Sequence, residues 1–89
     1  MNPLSSKREF NVIKRKTALR DWILIELQKL EKKHGMATRD FIKEWKSRAI
    51  LEPKDHILLE EFLEWDALAE SFEKIEKELE DLKKHIKEG

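Results

Sequence analysis

Apolar positions along this chain fall at helical spacing almost throughout. Leu19, Ile23, Leu27, Leu30 and His34 step by four, four, three and four residues, which lines one face of a helix. Trp22 and Leu24 widen that face. Ser6-Lys7-Arg8-Glu9 fits a capping box, so the first helix is expected to begin near residue 6. Its early part is poor, because Phe10, Val12 and Ile13 run into Lys14-Arg15-Lys16. Lys29, Lys32 and Lys33 suit the negative end of a helix dipole, and Gly35 is placed to stop the helix in a left-handed conformation. A short second helix should follow, with Thr38 as N-cap and Asp40 in its first turn. Phe41, Ile42, Trp45 and Ala49 form its apolar side, and it should end near Arg48. Ile50-Leu51-Glu52-Pro53 reads as the connection, with Pro53 suited to the first turn of the next helix.

The third helix is the clearest element. It should span about residues 54–87, or ~50 Å at ~1.5 Å per residue. Phe62, Trp65, Leu68, Phe72, Ile75, Leu79, Leu82 and Ile86 step by three, three, four, three, four, three and four. From Trp65 onward this is a heptad seam: Trp65, Phe72, Leu79 and Ile86 at a, and Leu68, Ile75 and Leu82 at d. So narrow a stripe on so charged a helix needs a partner helix: the first helix folding back, a symmetry mate or a different protein. The first helix reads as shorter than the third, so the C-terminal half of the stripe is expected to be covered by self-association. Leu68, Ile75, Leu79, Leu82 and Ile86 are the expected oligomerisation positions.

Composition supports an all-α assembly and excludes much else. Charged residues make up 43% and apolar residues 39% of 89 residues, against typical values of about 25% and 45–50%. A chain this short and charged has little material for a core of its own, yet three Trp and four Phe argue against disorder. With no Cys there is no disulfide and no Cys-based zinc site. No apolar run approaches a membrane span, and residues 1–6 have no signal-peptide core, so a cytoplasmic location is expected. Abundant Lys and Glu, with one Gln and two Asn, suit a thermophile. The expected fold is an all-α helical hairpin with a short connecting helix and a long heptad-bearing C-terminal helix, oligomeric. Residues 1–16 would form a basic N-terminal arm, and residues 17–89 a single helical domain.

The zero net charge conceals an asymmetry. Residues 1–20 carry six Lys or Arg against one Glu; residues 52–89 carry thirteen Asp or Glu against six Lys. Such asymmetry suggests ends that meet different partners, or each other across a dimer; a pair of solvated faces in a charged protein explains it equally. Lys7, Arg8, Lys14, Arg15, Lys16 and Arg20 could grip nucleic-acid phosphates, a sequence-independent contact weakened by salt. Leu30, Gly35, Met36 and Phe41 loosely match a helix-turn-helix, in which Arg39, Lys43, Lys46 and Arg48 would face the groove. Glu31 falls where that motif packs a small residue, and Gly35 is equally explained as a helix stop.

Catalytic chemistry is thin. Glu31 and His34 match the Glu-x-x-His spacing of di-iron bundles, but such sites need two copies and this chain has one. Glu60, Glu61 and Glu64 cluster near Trp65 on a helix that is acidic throughout, so solvation or partner contact explains them better than acid–base work. There is no Gly-rich phosphate loop, and no nucleophile with a matching base. No cofactor, metal or enzymatic role is expected.

One resemblance stands out. Glu31-Lys32-Lys33-His34-Gly35-Met36-Ala37-Thr38-Arg39-Asp40-Phe41, followed by Glu61-Phe62-Leu63-Glu64-Trp65-Asp66-Ala67-Leu68, resembles a family of small prokaryotic α-helical proteins. Its members carry a pattern like E-K-K-Y-G-M-S-x-E-E-F, then an acidic stretch ending in E-W-x-A-L. The likeness covers roughly residues 17–82. His34 here replaces an aromatic, Arg39 replaces an acidic residue, and Arg48-Ala49-Ile50-Leu51-Glu52-Pro53-Lys54 replaces a Gly-rich acidic link. The resemblance implies an antitoxin of a two-gene toxin–antitoxin module, and it singles out Gly35, Met36, Phe41, Glu64 and Trp65. The acidic helix would then cover a small basic toxin-like protein, using Glu60, Glu61, Glu64, Trp65, Phe72, Glu73 and Glu76, with Glu80 beyond them. The alternatives are a DNA-binding regulator acting through the basic arm, and a homo-oligomeric coiled-coil scaffold. No membrane partner is expected.

Overall fold

The computed structural model describes the backbone of residues 3–88 and the side chains of residues 7–85. Three helices make up the described chain: α1 (Pro3–His34), α2 (Thr38–Lys46) and α3 (His56–Glu88). No strand occurs among these residues. α1 and α3 lie antiparallel as a long hairpin, and α2 packs across it near the closed end.

The two long helices are almost equal, at 32 and 33 residues. This differs from the sequence expectation of a shorter first helix. The Lys14-Arg15-Lys16 run interrupts the apolar pattern but not the helix. Lys16 instead reaches across to the Glu78 carboxylate, and Arg20 to Glu76 at 3.6 Å. Long cationic side chains can lie along an apolar surface while their heads find a carboxylate. α1 therefore covers the C-terminal half of α3, and His85 comes within 3.9 Å of Glu9 at the open end.

The buried core is Ile23, Leu27, Phe41, Trp65, Ile75 and Leu79. Three of these belong to the heptad seam of α3, which thus finds its partner helix within the same chain. Ile75 and Leu79 are already enclosed by α1, while Leu68, Phe72 and Leu82 are half-buried. The Ile86 side chain lies outside the described residues. At the closed end the packing is aromatic. Trp65 stacks on Phe41 at 3.9 Å between ring centres with the planes 3° apart, and Phe62 meets Phe41 edge-on at 5.2 Å. Such pairs add about 0.5–1.5 kcal/mol beyond the area they bury.

The helix ends have identifiable causes. Gly35 has φ +62°, and the Met36 amide donates to the Glu31 carbonyl at 3.2 Å, the expected glycine stop. α2 ends the same way without a glycine. Arg48 takes φ +64°; its amide donates to the Trp45 carbonyl at 3.2 Å, and the Ala49 amide to the Glu44 carbonyl at 2.8 Å. Ala49 therefore lies beyond the helix and is exposed. The N-cap of α2 is Ala37, not Thr38. Thr38 is the first helical residue because the Glu31 carboxylate accepts its amide at 2.7 Å and replaces a local cap. α3 begins at His56, with the Asp55 carboxylate accepting the Ile57 amide at 2.8 Å. Pro53 thus stays in the connection and not in the helix. α1 starts at Pro3, where a missing amide hydrogen is harmless.

The result is a rod of 56 × 21 × 19 Å with a radius of gyration of 17.0 Å. A compact chain of this length would have a radius of about 12 Å. Its accessible surface is 7334 Å², against roughly 5,500 Å² for a compact monomer of this mass.

Candidate functional site

The closed end of the hairpin is held by a polar clamp around the aromatic cluster. Glu61 on α3 faces the last turn of α1. Its carboxylate accepts from the Lys33 ammonium at 2.6 Å and contacts the His34 ring nitrogen. These contacts, that of Lys33 first, hold the Glu61 carboxyl below the usual carboxylate range, against the opposing effect of burial. The His34 ring in turn stacks on Trp65 at 5.4 Å. One turn along, the Trp65 indole N–H donates to the Thr38 hydroxyl at 3.0 Å, and Glu31 receives the Thr38 amide. The clamp thus ties α1, α2 and α3 together around one buried indole. Glu31 and His34, the pair with di-iron spacing, are both occupied here. Among the described residues no group of three or more His, Cys, Asp or Glu could hold a metal ion.

Beside the clamp lies an open groove of about 510 Å³ between all three helices. Leu27 and Leu24 contribute from α1, Ile42 from α2, and Ala69 and Phe72 from α3. Asp66, Glu70 and Glu73 line its α3 side, and Arg39 and Lys46 its α2 side. The three carboxylates step by four and three, so they run along one flank of α3 next to the apolar seam. Of these only Glu73 is among the partner-binding residues expected from the sequence; the spacing of Asp66 and Glu70 from it is the signal that could have found them, whereas the arrival of Ile42 and Leu24 on the same groove depends on how α2 docks. A second hollow of about 450 Å³ lies under the α2–α3 connection, between Trp45, Ile50, Leu59 and Leu63.

The expected partner-binding residues separate into three groups. Glu60, Glu64, Glu73 and Glu76 are exposed, as is Glu80. Phe72 is half-buried and lines the groove, with Glu73 at its edge. Glu61 and Trp65 belong to the clamp: Trp65 is 1% exposed and offers a partner no surface, and the Glu61 carboxylate is held by Lys33 and His34. Of the residues expected at nucleic acid, Lys7, Arg8, Lys14 and Arg15 are exposed. Lys16 and Arg20 pair with Glu78 and Glu76 of the same chain. The basic and acidic ends of the sequence therefore meet within one hairpin. The Lys16 contact also draws the Glu78 carboxyl below its ordinary value. Solvent screens partly exposed pairs of this kind, so they set helix register more than they add stability. Arg39, Lys43, Lys46 and Arg48 are exposed. No helix among the described residues is long and apolar enough to cross a membrane. Compared with protein-family models, with curated proteins and with solved structures, the chain matches none.

Proposed function

We propose that this chain is a non-enzymatic interaction protein of the antitoxin-like kind, and that its groove takes an apolar-faced, basic segment of a small partner protein. The observation that supports this reading is an apolar floor with an acidic wall on α3, Phe72 and Ala69 beside Asp66, Glu70 and Glu73, facing Arg39 and Lys46 on α2, so the segment's cations lie on its α3 side. An amphipathic helix laid in such a groove buries its apolar stripe and sets its cations against the carboxylates. Neutralisation is by occlusion. The exposed Glu60, Glu64 and Glu80 extend the negative surface along α3 and steer a basic partner before contact, while Glu76 is paired with Arg20. Apolar anchors then hold it.

The test uses the product of any small basic gene adjacent to this one, purified and titrated calorimetrically against the full chain. Binding should weaken at least ~10-fold in the Glu70→Lys, Glu73→Lys double variant, with helicity unchanged, because like charges now face each other. Absence of binding, or binding indifferent to that variant, refutes the proposal. A second reading is favoured by four exposed cations, Lys7, Arg8, Lys14 and Arg15, at seven-residue spacing on α1. Duplex DNA held there would dissociate steeply with salt, and Lys14→Ala with Arg15→Ala would abolish binding.

A further inference from the structure

The outward side of α1 carries a second stripe that the hairpin does not cover. Arg15, Leu19, Trp22 and Glu26 step by four, three and four, the spacing of a helix–helix seam. Leu19 is 49% and Trp22 53% exposed, the latter an unusual position for the largest apolar side chain. This stripe is distinct from the groove. Leu24, which lines the groove, is two residues from Trp22 and so about 200° further around the helix.

The stripe is complementary to itself. If two copies of α1 cross antiparallel about the point between Arg20 and Asp21, Leu19 of one meets Trp22 of the other, and Arg15 meets Glu26. A two-fold axis makes each contact twice, which is the requirement for a closed dimer. Further out the same register sets Val12 opposite Lys29 and Arg8 opposite Lys33, so the match is confined to the stretch from Arg15 to Glu26, about three turns. Lys33 is already neutralised by Glu61 of its own chain. Glu26, now bonded to Lys29 at 3.3 Å, keeps a carboxylate oxygen for an incoming guanidinium. We infer that the chain forms an isologous dimer through the antiparallel pairing of α1 with α1 of a second copy, with Leu19 against Trp22 at the centre and Arg15 against Glu26 on either side.

The charges make the test specific. The full chain should run in light scattering and sedimentation equilibrium at twice its 10.7 kDa. Arg15→Glu alone places two carboxylates together at both symmetric contacts, and Glu26→Arg alone places two cations. Each should raise the dimer Kd on the order of 100-fold. The two reversals in one chain should restore the dimer, and mixing the two single variants should give a heterodimer. Helicity by circular dichroism should stay unchanged, since both positions lie off the buried core. Trp22→Ala should also disperse the dimer. A monomeric parent chain, single variants with unchanged mass, or a double reversal no better than the singles overturns the inference. So does a dimer that resists these changes and yields to Leu68→Ala or Leu82→Ala, which would place the contact on α3. None of these results bears on the groove, which is probed by Glu70 and Glu73.

Discussion

Replacing Phe41 by Ala tests whether the aromatic stack is what fastens α2 to the hairpin. Phe41 is 1% exposed and lies flat on Trp65, with Trp45 stacked at 5.9 Å and Phe62 edge-on. Removing a buried aromatic ring costs about 3–5 kcal/mol through lost transfer energy and the cavity left behind. Trp45 and Phe62 sit at the edge of that space and can relax into it, which places the expectation near the lower end, ~3–4 kcal/mol. An 89-residue chain has a total stability on the order of 4–13 kcal/mol, so the loss is a large share of the whole. α2 has nine residues, too few to stay helical once undocked, since isolated helices below ~12–15 residues are marginal in water. Urea titration followed by circular dichroism should therefore show a lower midpoint and a smaller native helical signal. At ~4–8 °C per kcal/mol the melting temperature should fall by at least ~12 °C. A loss below ~1 kcal/mol with native helicity retained would show that the stack is incidental and that α2 is held by the connections at its ends.

Gly35→Ala should destabilise by about 1–2 kcal/mol. The cause is the φ of +62° alone, since an added Cβ would meet nothing within 4 Å. Arg48→Gly should act in the opposite direction, stabilising by ~0.5–1 kcal/mol in thermal melts, because Arg48 holds φ +64° at the same kind of helix stop. Glu61→Gln should remove a pH dependence. The Glu61 carboxyl is lowered in the folded chain from its reference 4.5, so its contribution is present in full above the ordinary carboxylate range. It is lost as pH falls through the lowered folded value. Melting of the parent between neutral and acid pH should thus decline more than melting of the variant, and parallel curves would contradict the clamp.

The helical character, the glycine stop at residue 35 and the long α3 were legible in the sequence because each depends on residues within a few turns of one another. The partner of the heptad seam was not. Trp65, Ile75 and Leu79 announce that a second helix is needed, but periodicity carries no address. The Lys14-Arg15-Lys16 run weakened the apparent reach of α1, when Lys16 and Arg20 in fact extend it along α3. Thr38 reads as an N-cap by residue type, and only the approach of Glu31 from seven residues earlier shifts the cap to Ala37. Glu61 could not be told from Glu60 and Glu64 by composition. It differs because the ends of two helices bring Lys33 and His34 to it. Arg48 in a left-handed conformation carries no signal in the sequence. For the groove, Glu73 and Phe72 were expected from the sequence and Asp66 and Glu70 were not, while the apolar floor required the placement of α2.

The meeting of Glu9 and His85 at one end of the rod, with the aromatic clamp toward the other, also fixes how the chain responds to load. Tension applied between residues 9 and 85 pulls on the same end of both long helices, so the cross-helix contacts separate in sequence instead of sliding together. The pair at Glu9 parts first, then Lys16 from Glu78 and Arg20 from Glu76, and the stack of Phe41 on Trp65 yields last. Such a hairpin peels open gradually under small forces and closes again from its aromatic end, which stays assembled while the open end is already apart.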